Sequence, residues 1–135
     1  MLNTYQVGMS QTNARRYAAG AALSFGVVLV EVLIIRFALS GLSPDQITAI
    51  DAEIFAAFLV AHVAAGAIGG YLVARRVRSS YLRTGIIVSL IAYLFELVYN
   101  QVVLGVVTNI YLLLALLVGA TSGAAIYRTL HGSNP

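Results

Sequence analysis

Three ionisable side chains, Glu31, His62 and Glu96, stand deep inside stretches made mostly of apolar residues. Two carboxyls and an imidazole at one depth could exchange a proton, bind a cation, or hydrogen-bond one another and fix helix register. At 1.5 Å per helical residue, Glu31 lies about 22 Å from Arg16, Glu96 about 20 Å from Arg83 and His62 about 20 Å from Arg75. All three therefore share one level, somewhat beyond a membrane midplane. Tyr93 and Asn100 fall on the face of Glu96, at the i−3 and i+4 positions. Arg36, five residues beyond Glu31, is close enough to the outer edge to snorkel.

A charge at that depth costs at least ~2.5–3.5 kcal/mol. Two glutamates facing lipid are hard to sustain, so they are expected to face the interior or each other. A low dielectric penalises two ionised carboxyls side by side. The functional reading is a proton- or cation-sensing site. The structural reading is a hydrogen-bonded polar layer, and it gains weight because no polar stripe runs the length of any apolar stretch. His62 by itself reads most simply as a satisfied core histidine.

The elements that must hold these residues follow from composition. Of 135 residues, 60% are hydrophobic and only 10% charged, and the mean hydropathy is +0.89. Soluble domains carry about 25% charged residues, so a water-soluble monomer is excluded, as is disorder. The absence of Cys excludes a disulfide scaffold and a thiolate metal site. A membrane helix needs ~20 mostly apolar residues. Four such stretches are read at about 17–39, 54–74, 82–103 and 107–127. The fold class expected is an all-α, four-span bundle forming one domain.

The net charge of +3 comes from eight Arg and no Lys. Arg15, Arg16, Arg75, Arg76, Arg78, Arg83 and Arg128 all fall on one side of the spans, and Asp45, Asp51 and Glu53 fall on the other. The positive-inside rule then places both termini in the cytoplasm. The arginines are expected to contact anionic lipid headgroups rather than nucleic acid. Tyr17, Tyr71, Tyr81 and Tyr127 sit beside the basic ends and read as an interfacial belt, with Trp absent. Span one is too long for a signal-peptide core of ~7–15 residues. The first 14 residues and the stretch from His131 to Pro135 read as polar, mobile tails.

Connections carry their own signals. Ser43-Pro44-Asp45-Gln46 is a capping box, with Ser43 as N-cap and Gln46 reaching back, so a helix is expected from about Pro44. It either lies at the interface or continues into span two. The turn between spans three and four is tighter, around Gly105.

The chain also repeats. Displacement by 65 residues lays Gly20 on Gly85, Ser24 on Ser89 and Glu31 on Glu96; displacement by 53 lays Gly66 on Gly119, Gly70 on Gly123 and Arg75 on Arg128. Two tandem hairpins, about 16–76 and 81–128, are expected around a pseudo-twofold along the membrane normal. His62 has no counterpart, because Ala115 takes its place. Gly66/Gly70 and Gly119/Gly123 are GxxxG pairs, with Ala61, Ala65 and Gly69 as a neighbouring small stripe. They form either a dimer interface or contacts inside one bundle, and their equivalent positions in both hairpins favour the second.

Nothing else points to catalysis. There is no HExxH, P-loop, Gly-x-Ser-x-Gly or CxxC. No metal set and no cofactor are expected.

At Gly69-Gly70-Tyr71-Leu72-Val73-Ala74-Arg75-Arg76, followed by Gly85, the chain resembles a loose group of small prokaryotic four-span proteins. In that group span two ends in Gly-Gly-aromatic-x-x-Ala-Arg. The resemblance covers about 20 residues and implies an integral membrane protein; no biochemical activity is assigned to the group, so no functional residue is carried over. The small multidrug-resistance transporters also have four spans and a Glu in the first. They differ in that this chain has no Trp and has a second Glu in span three. Two functions fit these features. The first is an accessory, assembly or structural component of the membrane, alone, as a homodimer or in a larger complex. The second is a small proton- or cation-coupled transporter or channel that uses the glutamate pair.

Overall fold

The computed structural model describes residues 2–132, with side chains from residue 11 onward. It is all-helical among the described residues. Helix α1 spans Leu2–Leu39, α2 Pro44–Ala49, α3 Asp51–Ala74, α4 Tyr81–Tyr99 and α5 Ile110–His131, with a π-helical turn at Asn100–Leu104 after α4. Four helical stretches are long and apolar enough to cross a membrane: Gln11–Leu39, Asp51–Ala74, Tyr81–Leu104 and Ile110–His131. Large apolar side chains such as Phe37, Val60, Leu94 and Val118 lie exposed around the outside. In water such a surface would drive aggregation; in a bilayer it is the lipid-facing shell.

Three boundaries differ from the sequence reading. Residues 2–14, expected as a tail, continue α1. No proline interrupts Leu2–Leu39, and extending a formed helix is far easier than nucleating one. The fourth span starts at Ile110 rather than near Val107, because the Asn109 side chain caps the helix, accepting from the Tyr111 amide at 3.0 Å. At the other end, α5 includes His131, and residues 133–135 lie outside the described residues.

The capping box forms as expected. Ser43 N–H donates to Gln46 Oε1 at 2.9 Å, and Gln46 N–H donates to Ser43 Oγ at 3.4 Å. The helix it starts is short, however: Ile50 (φ −117°, ψ 19°) breaks the path before α3 begins. The turn after the π-helix is closed by Gly105 in the left-handed region (φ 67°), where a side chain would be strained.

Helices α3 and α5 make the most extensive contact in the bundle. A Cβ built on Gly66 would strike the Leu116 carbonyl oxygen, and one on Gly70 the Ala120 carbonyl oxygen. In return, a Cβ on Gly119 would strike the Val63 carbonyl and one on Gly123 the Ala67 carbonyl. Each contact maps onto its reciprocal by a displacement of 53 residues. In lipid, such backbone-to-backbone approach replaces the hydrophobic drive as the source of association. The outer pair is less regular. Gly20 on α1 packs on Val73 and the Gly69 carbonyl, whereas Gly85 on α4 packs on Thr121. A displacement of 53 would have placed Gly85 against residues 122 and 126 instead.

Candidate functional site

The three ionisable residues of the apolar layer come from three helices: Glu31 from α1, His62 from α3 and Glu96 from the last turn of α4. The imidazole lies between the carboxyls. His62 Nε2 is 3.3 Å from both Glu96 oxygens, and His62 Nδ1 is 3.7 Å from Glu31 Oε2. His62 is 1% exposed and Glu96 4%. The glutamates therefore do not face one another directly; the longer residue of α3 occupies the gap between them.

Hydrogen bonding restricts where protons can sit. His62 Nδ1 is 2.6 Å from the Phe58 carbonyl, one helical turn back on α3. A carbonyl only accepts, so Nδ1 carries a hydrogen. The Nε2–Glu96 contact then needs one further proton. Either Nε2 holds it and Glu96 is a carboxylate, or Glu96 holds it and His62 is neutral. One proton is thus shared across this contact. Both oxygens of Glu31 are buried and have no hydrogen-bond partner among the described residues. The two carboxyls approach opposite ring nitrogens, and among the described residues no group of His, Cys, Asp and Glu converges on a metal position.

A cavity of about 480 Å³ runs from this cluster toward the α1–α2 turn, with Phe25, Phe58, Tyr99 and Arg36 among its lining residues and His62 and Glu96 reached by it. Arg36 is exposed, as its outer position requires. On the opposite side of the cluster Ala65, Ala92 and Leu116 are buried against one another.

Tyr93 and Asn100, expected on the Glu96 face, both bond Thr108. Tyr93 Oη donates to the Thr108 carbonyl at 3.4 Å, and Asn100 Nδ2 donates to Thr108 Oγ1 at 3.1 Å. They tie the π-helical turn to the segment before α5, and Asn100 also lines the cavity that reaches His62 and Glu96. Thr108 carried no signal in the sequence, because it sits among valines that read as part of a span.

The glycines Gly66, Gly70, Gly119 and Gly123 are occupied at the α3–α5 contact within one chain. The seven arginines gather around the 75–80 loop. Arg15, Arg75, Arg76, Arg78 and Arg83 are exposed, Arg16 Nη1 donates to the Arg76 carbonyl at 2.5 Å, and half-buried Arg128 donates to the Ser79 carbonyl. Tyr17, expected in an interfacial belt, is buried, and its hydroxyl meets Ser79 Oγ at 2.8 Å. Tyr71 and Tyr127 pack edge to face with ring centroids 5.3 Å apart, and Tyr81 is exposed. Ser79, which also meets Thr84 Oγ1 at 2.8 Å, is a tie that sequence reasoning missed.

Neither the family models, the curated proteins nor the solved structures contain a match to this chain. The geometry of the site therefore carries the functional argument.

Proposed function

We propose that this chain is a multi-pass protein of the plasma membrane that binds and releases a proton or small cation at Glu31, His62 and Glu96, working as a small coupled transporter or channel. The observation that carries this reading is a buried imidazole held between two glutamates, one of them without a hydrogen-bond partner, at the end of a cavity. An unsatisfied buried carboxyl costs free energy. A cluster that merely set helix register would be better served by a satisfied or apolar side chain. The positive-inside rule supports cytoplasmic termini, since the arginines gather at the end where both lie. The cavity then faces the outside. No covalent catalysis and no cofactor enter the proposal.

Reconstitution into liposomes loaded with a pH-sensitive dye tests it. Proton flux, or flux driven by a sodium or potassium gradient, is expected in the native chain and lost in Glu31→Gln and Glu96→Gln with the helical content intact. Absence of flux under all three gradients overturns it.

One observation favours a second reading, an accessory, assembly or structural component without transport. The layer next to the cluster on the arginine side is apolar and packed, built from Ala65, Ala92 and Leu116. Such a layer suits a polar cluster that locks helices in register. Isolation from native membrane in mild detergent distinguishes the readings: a stoichiometric larger complex, together with no flux, supports the second.

A further inference from the structure

We infer that the groove between α1 and α4 at the arginine end is a binding site for one anionic phospholipid, with its phosphate at Arg78 and Arg83 and an acyl chain laid along Ile87 and Ile91. The groove has a volume of about 470 Å³ and is lined by Asn13 and Tyr17 of α1, by Arg78 of the loop, and by Arg83, Ile87 and Ile91 of α4. Arg83, Ile87 and Ile91 recur every four residues, so they share one face of α4. That face passes from a cation to two half-buried apolar side chains over about 12 Å of helix.

Charge selects the headgroup. Every acidic residue of the chain lies elsewhere: Glu31 and Glu96 in the buried cluster, Asp45, Asp51 and Glu53 around α2 and the start of α3. None of these five side-chain carboxylates lies at the arginine end. Two of its guanidinium groups are already committed to backbone, Arg16 to the Arg76 carbonyl and Arg128 to the Ser79 carbonyl. Arg78 and Arg83 are exposed at the groove itself.

The frame behind them is fixed. Tyr17 Oη, Ser79 Oγ and Thr84 Oγ1 form a chain of 2.8 Å contacts, which ties α1, the loop and α4 together. A planar guanidinium held on such a frame suits bidentate recognition of a phosphate. A soluble anion would use only the cationic mouth, and a neutral lipid only the apolar track. An anionic phospholipid uses both, at the height where headgroups meet tails.

Native mass spectrometry of the full chain, released from mixed micelles of phosphatidylglycerol and phosphatidylcholine, tests the site. One phosphatidylglycerol is expected to stay bound, in preference to phosphatidylcholine. The double variant Arg78→Gln/Arg83→Gln should weaken its retention roughly 10- to 30-fold. Arg15→Gln/Arg75→Gln removes the same charge from outside the groove and should leave retention within about 3-fold of native. Ile91→Asn should also weaken it, with the arginines untouched. Equal loss in the two arginine pairs would reduce the site to diffuse attraction and overturn the inference. So would displacement of the lipid by millimolar glycerol 3-phosphate, which would mark a phosphate site that ignores the chain.

Discussion

His62 Nε2 stands 3.3 Å from each carboxylate oxygen of Glu96, while its Nδ1 is held 2.6 Å from the Phe58 carbonyl of its own helix. The ring is thus fixed by backbone on one side and left to share a proton on the other. Glu31 approaches the same ring without completing a hydrogen bond.

The two glutamates should consequently differ in what they contribute to stability. Glu96→Leu strands the buried His62 nitrogen and should cost about 1–3 kcal/mol. Glu96→Gln, whose amide can donate to Nε2, should cost less than about 1 kcal/mol. Glu31→Leu removes a carboxyl that makes no hydrogen bond among the described residues and should be neutral or stabilising. Unfolding in mixed micelles, followed by circular dichroism, measures all three. A larger loss for Glu31→Leu than for Glu96→Leu would contradict the assigned contacts.

Helix contacts give a second contrast. Gly123→Ala places a methyl against the Ala67 carbonyl oxygen. The α3–α5 pair must separate to admit it, with an expected cost of about 1–3 kcal/mol. Gly26→Ala meets nothing within 4 Å. It should be stabilising by up to about 1 kcal/mol through helix propensity. The same unfolding assay should rank the two variants in opposite directions.

At the arginine end, Tyr17→Phe deletes the hydroxyl that holds Ser79. Loss of one hydrogen bond should cost about 1 kcal/mol. Amide exchange in the 77–80 loop should quicken selectively, while that of α5 near Ala120 stays slow. Uniform acceleration across the bundle would show that the tie is not local.

The short helix α2 should depend on its cap. Ser43→Ala removes the acceptor of the Gln46 amide and should destabilise that helix by about 1 kcal/mol. Because α2 buries no residue, the loss should be confined to faster exchange of the 46–50 amides, leaving the midpoint of global unfolding unchanged.

The spans were legible because a stretch of some twenty apolar residues has few alternatives, and the level shared by Glu31, His62 and Glu96 followed from helical rise alone. The capping box was legible because its chemistry is local to four residues. What lay beyond reach was rotational. Nothing in the spacing says that α3 turns His62 between the glutamates, or that Tyr93 and Asn100 bond Thr108. Hydropathy also cannot separate loop valines from helical ones, so Val107 and Thr108 read as part of the fourth span. Asn109 was the signal for the true start. The π-helical turn left no trace, since it changes the hydrogen-bond register and not the apolar pattern. The α3–α5 contacts are reciprocal, whereas α1 and α4 meet their neighbours in different registers, so the packing does not establish the tandem repeat expected from the sequence.

Those reciprocal contacts have a mechanical consequence. Where carbonyls nest against glycines with no side chain between, neither α3 nor α5 can slide or roll without backbone riding over backbone. The two form a keel. Helices α1 and α4 meet it less extensively, α1 through Gly20 on Val73 and the Gly69 carbonyl and α4 through Gly85 on Thr121. Glu31 and Glu96 stand on the outer helices and His62 on the keel, so any shift between the two layers would change the separations of the imidazole from both carboxyls.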